Sequence, residues 1–294
     1  MRLSLIACTT LVAATPAIAQ SAPATGGQVP ITPATPIAAP NSNLPDPNDR
    51  RDTLTLGIGA AYHPDYEGSN DYRIIPGAVL RARYKGIAIN SNGTYIAADL
   101  INGGGKVDFD AGPIVGVRLN RNSKVHDALV NRLPRRKVGI ELGGFAGVSF
   151  KGLTNPYDQL SFKVEAVHDI NAHKSTVITP SVSFSTPLSR TFYAGVSASA
   201  DFVQNRYADY YFGITPAETF LSTLRTHNPC GGFKSWQVGA LANQSLSGDL
   251  THGLSLFGLV SYKRLVRDFA RSPLVADRSS AKQWFVGAGA GYTW

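Results

Sequence analysis

The end of the chain shows a pattern that recurs along most of its length. From Trp284 to Trp294 every second residue is apolar or aromatic, while the positions between them are mostly glycine or threonine. Because successive side chains of a β-strand point to opposite faces, this alternation predicts a strand with one apolar face. Aromatic residues stand at both ends of that face, as on strands that cross a membrane between two aromatic girdles. A strand of a soluble sandwich is the alternative.

The same alternation begins at Thr53, where Leu54, Leu56 and Ile58 are separated by threonine and glycine. Further runs cover roughly residues 72–84, 86–91, 94–101, 107–119, 138–150, 160–166, 178–184, 192–202, 236–242, 254–262 and 284–294. The total is about twelve, an even number of the kind that single-chain bacterial barrels require. We therefore predict an all-β fold, namely a transmembrane antiparallel up-and-down β-barrel of the outer membrane.

The long polar connections give an independent check on this fold. They lie at roughly 122–136, 206–232 and 266–280, after the fifth, ninth and eleventh predicted strands. If the first strand starts in the periplasm, connections after odd-numbered strands are extracellular, where bacterial barrels keep their long loops. A soluble sandwich has no reason to follow this parity. The connection 206–232 contains apolar residues, so it is predicted to be either an external loop or a plug folded into the lumen.

The N-terminal part of the chain differs from the rest. Residues 1–19 combine a positive start, an apolar core and the site Ala17-Ile18-Ala19, which is typical of a cleaved secretory signal peptide. Residues 20–50 are rich in proline and alanine without a periodic apolar face, which predicts a disordered periplasmic segment. The barrel is assigned to residues 51–294. These features predict the outer membrane of a Gram-negative bacterium as the location.

The charges and the last residues indicate which partners to expect. The formal net charge is +8, but the basic residues stand singly on polar strand faces or in a connection at 132–137. No aromatic platform for bases accompanies them, so nucleic acid is not predicted as a partner. Outer-membrane lipid and the phosphates of lipopolysaccharide are the simpler partners for loop cations, and a solvated loop is the alternative. Tyr292 and Trp294 are the predicted signal for the barrel insertion machinery.

The polar strand faces become the lining of the lumen in a barrel. Both signs of charge occur there in similar number, and charges in a partly wet lumen tend to pair. About twelve strands enclose a narrower interior than a porin does, so we predict a plugged or narrow barrel. The predicted lumen charges are Arg73, Arg81, Arg83, Asp108, Asp110, Arg118, Glu141, Lys163, Glu165 and Asp201.

No group of residues predicts catalysis or a cofactor. Asp169 and His173 fall near a predicted extracellular turn, but Ser175 is the only nearby nucleophile and nothing marks an oxyanion site. Histidine, cysteine and carboxylate residues do not have the spacing of a metal site, and the glycine pairs lie within strands or turns. The sequence therefore predicts a protein that is not an enzyme and that carries no cofactor or metal.

Three stretches resemble the signature of a known family, the MipA/OmpV family of MltA-interacting outer-membrane proteins. The resemblance spans about residues 53–294 and is carried by Tyr62 to Tyr72, Tyr211 to Glu218, and Arg264 to Val275. Arg267 and Phe269 stand where the family commonly shows Gly and Ala, and Trp294 replaces Phe. The motif residues carried over are Pro64, Tyr66, Gly68, Ser69, Tyr211, Phe212, Gly213, Arg264, Asp268, Ser272 and Pro273.

The resemblance implies a function that the residues alone do not reveal. Members of this family are described as scaffolds that bring a membrane-bound lytic transglycosylase together with a penicillin-binding murein synthase. We therefore expect a non-enzymatic scaffold in peptidoglycan remodelling. A narrow channel for small solutes and an adhesin-like or stress-responsive surface barrel are the alternatives.

Overall fold

The alternating runs form twelve strands. The structure, a computed structural model, describes residues 51–101, 103 and 105–294, so the expected signal peptide and the segment 20–50 lie outside the described residues. The strands are β1 (Thr53–Pro64), β2 (Tyr72–Tyr84), β3 (Ile87–Asn92), β4 (Tyr95–Asp99), β5 (Val107–Arg118), β6 (Gly139–Lys151), β7 (Gln159–Asp169), β8 (Thr176–Pro187), β9 (Phe192–Val203), β10 (Gly232–Ser245), β11 (Gly253–Leu265) and β12 (Lys282–Thr293).

Each strand pairs antiparallel with its neighbours in the sequence, and β1 pairs with β12 to close the barrel. The closing register runs from Thr55 opposite Thr293 to Tyr62 opposite Val286. Closure pairs the outer edges of the first and last strands with each other, so neither is left open to other chains. The prediction of an all-β, antiparallel, up-and-down barrel of about twelve strands is confirmed.

The outer face of the barrel is apolar, as the alternation predicted. Ile58 is 75% exposed and Ile74 is 73% exposed, although both are large aliphatic side chains. Aromatic pairs border this surface: Tyr62 stacks on Tyr72 with ring centroids 4.8 Å apart, and Tyr292 contacts Trp294 at 4.6 Å. An apolar band between two aromatic girdles is the arrangement of transmembrane barrels. Across the described part of the chain, no helix has both the length and the apolar character to span a bilayer.

The two ends of the barrel differ in their connections. We call the end that carries the connections after odd-numbered strands the loop end, and the opposite end the turn end. The long loop-end connections contain a 3₁₀ turn (Val130–Arg132) and the helices α1 (Asn205–Phe212), α2 (Pro216–Ser222), α3 (Arg267–Arg271) and α4 (Pro273–Ala276). Thr215 and Glu218 form a capping box at the start of α2, which fixes where this helix begins.

The connections at the loop end fold over the lumen and pack together. We call this assembly the cap; it consists of the connections 65–71, 119–138, 170–175, 204–231 and 266–281. Its apolar core includes Tyr66, Tyr207, Phe212 and Leu274, each no more than 2% exposed. The connection after β9 is therefore a part of the cap, although Phe220 within it remains 90% exposed.

The lumen contains open space. A cavity of about 360 Å³ extends from Thr53 and Thr293 at the turn end to Ala61 and Ile75, which lie toward the loop end. A second space of about 30 Å³ lies against the cap, beside Arg118 and Lys234. A space of this size holds about one water molecule.

Candidate functional site: the cap and its buried charges

The first motif stretch is the connection between β1 and β2, and it lies inside the cap. The Tyr66 hydroxyl donates a hydrogen bond to the Leu274 carbonyl at 3.1 Å, and the Gly68 amide donates to the Gln283 side chain at 2.9 Å. Burial raises the pKa of Tyr66 to about 12, so it remains a neutral donor. Gly68 has φ +103°, and a Cβ there would lie 2.5 Å from Val275. Only glycine fits this backbone and this contact.

The second and third motif stretches contact each other directly. The Ser272 hydroxyl donates to the Phe212 carbonyl at 2.7 Å, and the Phe212 ring meets the Phe269 ring edge-on at 5.2 Å. The Asp268 carboxylate accepts from the backbone amide of Cys230 at 3.2 Å. A Cβ at Gly213 would lie 2.5 Å from the Asp209 carbonyl oxygen, so this position has no room for a side chain.

The remaining motif residues lie at the margins of this assembly. Pro64 is the last residue of β1 and is buried. Ser69 is fully buried and its hydroxyl accepts from the amide of Asp71 at 3.0 Å. Pro273 is buried in the first turn of α4. Arg264 differs from the others, since it is exposed and pairs in the ladder with Trp236, on the outer face of the barrel.

Beneath the cap, four charged side chains form one buried cluster. Lys234 lies 2.7 Å from Glu67 and 3.3 Å from Asp201, and Lys263 lies 3.1 Å from each of them. Burial acts to raise the pKa of Glu67, but the two ammonium groups outweigh it and lower the pKa to about 2. Two cations and two carboxylates balance each other in this cluster, so it is neutral as a whole.

Tyr207 of α1 joins this cluster to a second one. Its hydroxyl donates to Glu67 at 2.8 Å and accepts from Arg118 at 3.3 Å and from Lys234 at 3.2 Å. Burial raises the pKa of Tyr207, so the hydroxyl keeps its proton for Glu67. Arg118 in turn holds Glu141 through two hydrogen bonds from its guanidinium. A helix of the cap is thereby bound to charges on the barrel wall.

Ser175, His173 and Glu141 lie in the order of a hydrolytic triad. The His173 Nδ1 is 2.8 Å from the Ser175 hydroxyl, and its Nε2 is 3.1 Å from Glu141. However, Ser175 is 1% exposed and Glu141 is fully buried, where it also accepts from Tyr95 at 2.5 Å. Burial lowers the pKa of His173, which favours the neutral imidazole. The three residues therefore form a buried hydrogen-bond chain.

A family model described as "MltA-interacting protein MipA" matches residues 56–294 of this chain. The chain belongs to this family. The match covers all three motif stretches, and the packing between them is therefore part of a MipA-family barrel. A search of curated proteins found no relative of this chain.

Several solved structures of barrels are similar to this MipA-family chain at low identity. An anion-selective porin from Comamonas acidovorans is 9% identical, with 83% of this chain and 99% of that chain covered and a TM-score of 0.36. The outer membrane channel DcaP of Acinetobacter baumannii is 10% identical, with coverages of 82% and 96% and a TM-score of 0.37. OmpT of Vibrio cholerae is 9% identical, with coverages of 83% and 97% and a TM-score of 0.35.

The predicted lumen charges of this MipA-family barrel occupy different environments. Arg118, Glu141 and Asp201 belong to the two clusters beneath the cap. Further contacts are those of Arg73 with Asp65 at 3.3 Å, Asp108 with Lys151 at 2.7 Å, Asp110 with Ser149 at 2.8 Å, and Lys163 with Glu165 at 3.6 Å. Arg81 and Arg83 line the cavity that extends from the turn end.

Two of the most buried charges were not among the predicted lumen residues. Lys234 is 1% exposed because a β-bulge shifts the register between Phe233 and Ser235, so that two neighbouring side chains both point inward. Strict alternation would place Lys234 on the lipid face, beside Trp236. Lys263 follows the alternation. Its inward position could have been predicted from the sequence, since its neighbour Tyr262 faces outward.

Proposed function

We propose that this protein is a closed, non-conducting and non-enzymatic barrel of the Gram-negative outer membrane that anchors murein-remodelling enzymes. The observation that carries this proposal is the cap. A channel needs a continuous aqueous path through the lumen. In the described part of the chain, the buried cluster of Glu67, Lys234, Lys263 and Asp201 and the rings of α1 occupy that path.

The same features support an orientation in the membrane. The long connections lie together at the loop end, which the parity of bacterial barrels assigns to the cell exterior. β1 begins at the turn end, so residues 20–50 precede the barrel on the periplasmic side. Tyr292 on β12 and Trp294 directly after it are both exposed and serve as the insertion signal. Residues 1–19 act as the signal peptide that is removed after export.

The partner in this proposal is a membrane-bound lytic transglycosylase, and it brings a penicillin-binding murein synthase into the same assembly. The family description names an MltA-interacting protein, which supports the first partner. Such enzymes meet the barrel from the periplasm, where it offers the turn end and the segment 20–50. The buried Ser175 supports the non-enzymatic part of the proposal, because a nucleophile that no substrate reaches performs no hydrolysis.

Affinity purification from solubilised outer membrane tests the anchoring role. The full chain carries a tag in the turn at 188–191, and the captured proteins are probed for the lytic transglycosylase and the synthase. Capture should persist in Phe220→Ser, a variant at the exposed loop end. Deletion of residues 20–50 tells whether that segment or the turn end holds the enzymes. Absence of both enzymes from the wild-type eluate, with the barrel folded, would refute the anchoring role.

Planar bilayer recordings test whether the barrel is closed. The purified protein is expected to give no stable conductance steps, because the cap blocks the lumen. Stable ion steps that disappear when the protein is heat-denatured would favour the channel instead. The two measurements are independent, so an assembly role and a pore are distinguished directly.

A further inference from the structure

The barrel wall is incomplete on one side. β3 has 6 residues and β4 has 5, whereas the adjacent β2 has 13. The β3–β4 hairpin turns at Gly93 and Thr94 and pairs with β2 only from Arg81 to Tyr84. Over residues 72–79, β2 pairs with β1 on one edge, but among the described residues nothing forms a ladder with its other edge, which faces β3. A gap therefore lies between this edge and the tip of the hairpin.

The gap is located at the depth of the apolar band. It begins below Tyr72, which stacks on Tyr62 in the loop-end girdle, and the outward-facing Ile74 beside it is 73% exposed. In hydrocarbon, an unpaired strand edge is tolerated only where protein covers it or where it borders a cavity. Here it borders the large cavity, because residues 75–79 and the hairpin tip at 92–94 both line that cavity.

Backbone forms part of the cavity wall on the strands next to β2. On the inward positions of β1 and β12, Gly57 pairs with Gly291 and Gly59 pairs with Gly289. Aromatic and aliphatic side chains from the later part of the chain line other parts of the cavity. They are Tyr193, Leu241, Leu250, Phe257, Leu259 and Phe285. A volume of about 360 Å³ with a mostly apolar lining is in the range of sites for small organic ligands.

One cation beside this cavity has no acidic neighbour. Arg81 belongs to the lining, and the described lining residues include no aspartate or glutamate. Arg81 points inward from β2, is half-buried, and has no carboxylate within ion-pair distance in the described part of the chain. The inward cations nearer the cap differ from it, since Lys234 and Lys263 are both paired with acids. An arginine beside an apolar cavity without an acid is arranged for an anionic group from outside the chain.

We infer that this cavity binds a single-chain anionic amphiphile, such as a long-chain carboxylate. Its headgroup pairs with the Arg81 guanidinium, and its alkyl chain lies against the apolar side chains and the glycine wall. The amphiphile enters from the bilayer through the gap between β2 and the β3–β4 hairpin. This site lies below the cap and is independent of any enzyme that the barrel anchors.

Photolabelling of the full-length barrel in nanodiscs tests the site. The probe is dodecanoate carrying a diazirine, preloaded in the bilayer, and the labelled peptides are identified by mass spectrometry. We expect label on the cavity-lining peptides of β10 and β11. Unlabelled dodecanoate should compete at least about tenfold more strongly than dodecanol, because only the carboxylate pairs with arginine. Equal competition by the two, or label on outward-facing residues alone, would overturn the proposal.

Variants separate the headgroup contact from the access route. Arg81→Gln should weaken labelling about tenfold or more, while Arg135→Gln, an exposed loop cation, should have no effect. Gly77 lines the cavity beside the gap, and a Cβ there meets nothing within 4 Å, so Gly77→Phe places a bulky side chain where the access route enters the cavity. It should slow labelling from the bilayer. Unchanged labelling in Arg81→Gln refutes the headgroup contact, and an unchanged rate in Gly77→Phe refutes the access route. If Arg81→Gln does not fold, the competition between dodecanoate and dodecanol on the wild-type protein tests the headgroup contact.

Discussion

Glu67 offers the sharpest test of how the cap is held on the barrel. Glu67→Gln keeps the shape of the side chain and removes its charge. The Glu67 side chain is 3% exposed, and the ammonium groups of Lys234 and Lys263 lie 2.7 Å and 3.1 Å from it. After the substitution both lysines face a single carboxylate, Asp201, and one buried positive charge has no counterpart.

The size of the effect follows from these distances. At an effective dielectric constant of about 20, each contact with Glu67 contributes roughly 5–6 kcal/mol of Coulomb attraction before desolvation is counted. Removing one partner of a buried ion pair destabilises a protein by about 3–5 kcal/mol, because the remaining charge stays buried. The double variant Glu67→Gln/Lys263→Met leaves Asp201 with Lys234 alone. We expect it to recover about 2 kcal/mol relative to the sum of the single variants.

Urea unfolding in lipid vesicles, followed by tryptophan fluorescence, measures the free energy of unfolding, and limited trypsin digestion reports on the cap. Asp277→Asn is the matched control, because it removes the partner of Arg225 in an ion pair that is exposed on both sides. The urea midpoint of Asp277→Asn should equal that of the wild type. The reasoning is refuted if Glu67→Gln shifts the midpoint no more than the control does. It is also refuted if the double variant loses the full sum of the single effects.

Four further predictions concern pH, the membrane face, backbone strain and topology. Because the pKa of Glu67 is lowered from 4.5 to about 2, its stabilising contribution is complete above about pH 4.5 and is lost as the pH falls toward 2. The unfolding midpoints of wild type and Glu67→Gln should converge over that window, and parallel curves would contradict it. Ala288→Arg places a cation on the exposed outer face at a cost of about 2–4 kcal/mol, so the heat-modifiable folded band should weaken; a normal band would argue against this face. Arg267 has φ +53°, so Arg267→Gly should raise the free energy of unfolding by about 1 kcal/mol, and a lower value would show that its side chain matters more than its backbone. Cys230 is exposed in the cap and should react with a membrane-impermeant maleimide on intact cells, whereas Ser189→Cys in a Cys230→Ser background should react only after lysis; the reverse pattern would invert the orientation.

Alternation along the strands was sufficient to predict the barrel and most of its two faces. Leu56 and Ile58 face outward because the pairing of β1 with both neighbours keeps the period of two unbroken. The pattern failed at Lys234, where a bulge inserts one residue and turns a cation inward. The alternation also did not reveal that Gly289 has no room for a side chain. A Cβ there would lie 2.4 Å from the Ile58 carbonyl oxygen.

The cap was harder to predict than the strands. Its connections have no periodicity, and the motif resemblance identified Tyr66, Phe212 and Ser272 without indicating that they contact one another. Those contacts depend on how the closed barrel brings distant loops over the same opening. The gap beside β2 could not be predicted from the sequence either. The short runs at 86–91 and 94–101 predicted a hairpin, but they did not indicate how few residues of β2 it would pair with.

The cap also has a consequence for the order in which the protein folds. Tyr66 bonds to a residue 208 positions later in the chain, Gly68 to one 215 positions later, and Tyr207 to one 140 positions earlier. Contacts of such high sequence separation carry a large loop-closure entropy unless other pairings have already joined the chain ends. The ladder between β1 and β12 is the pairing that does so. Assembly of the cap is therefore a late kinetic event, and resistance of its loops to protease reports that the first and last strands have met.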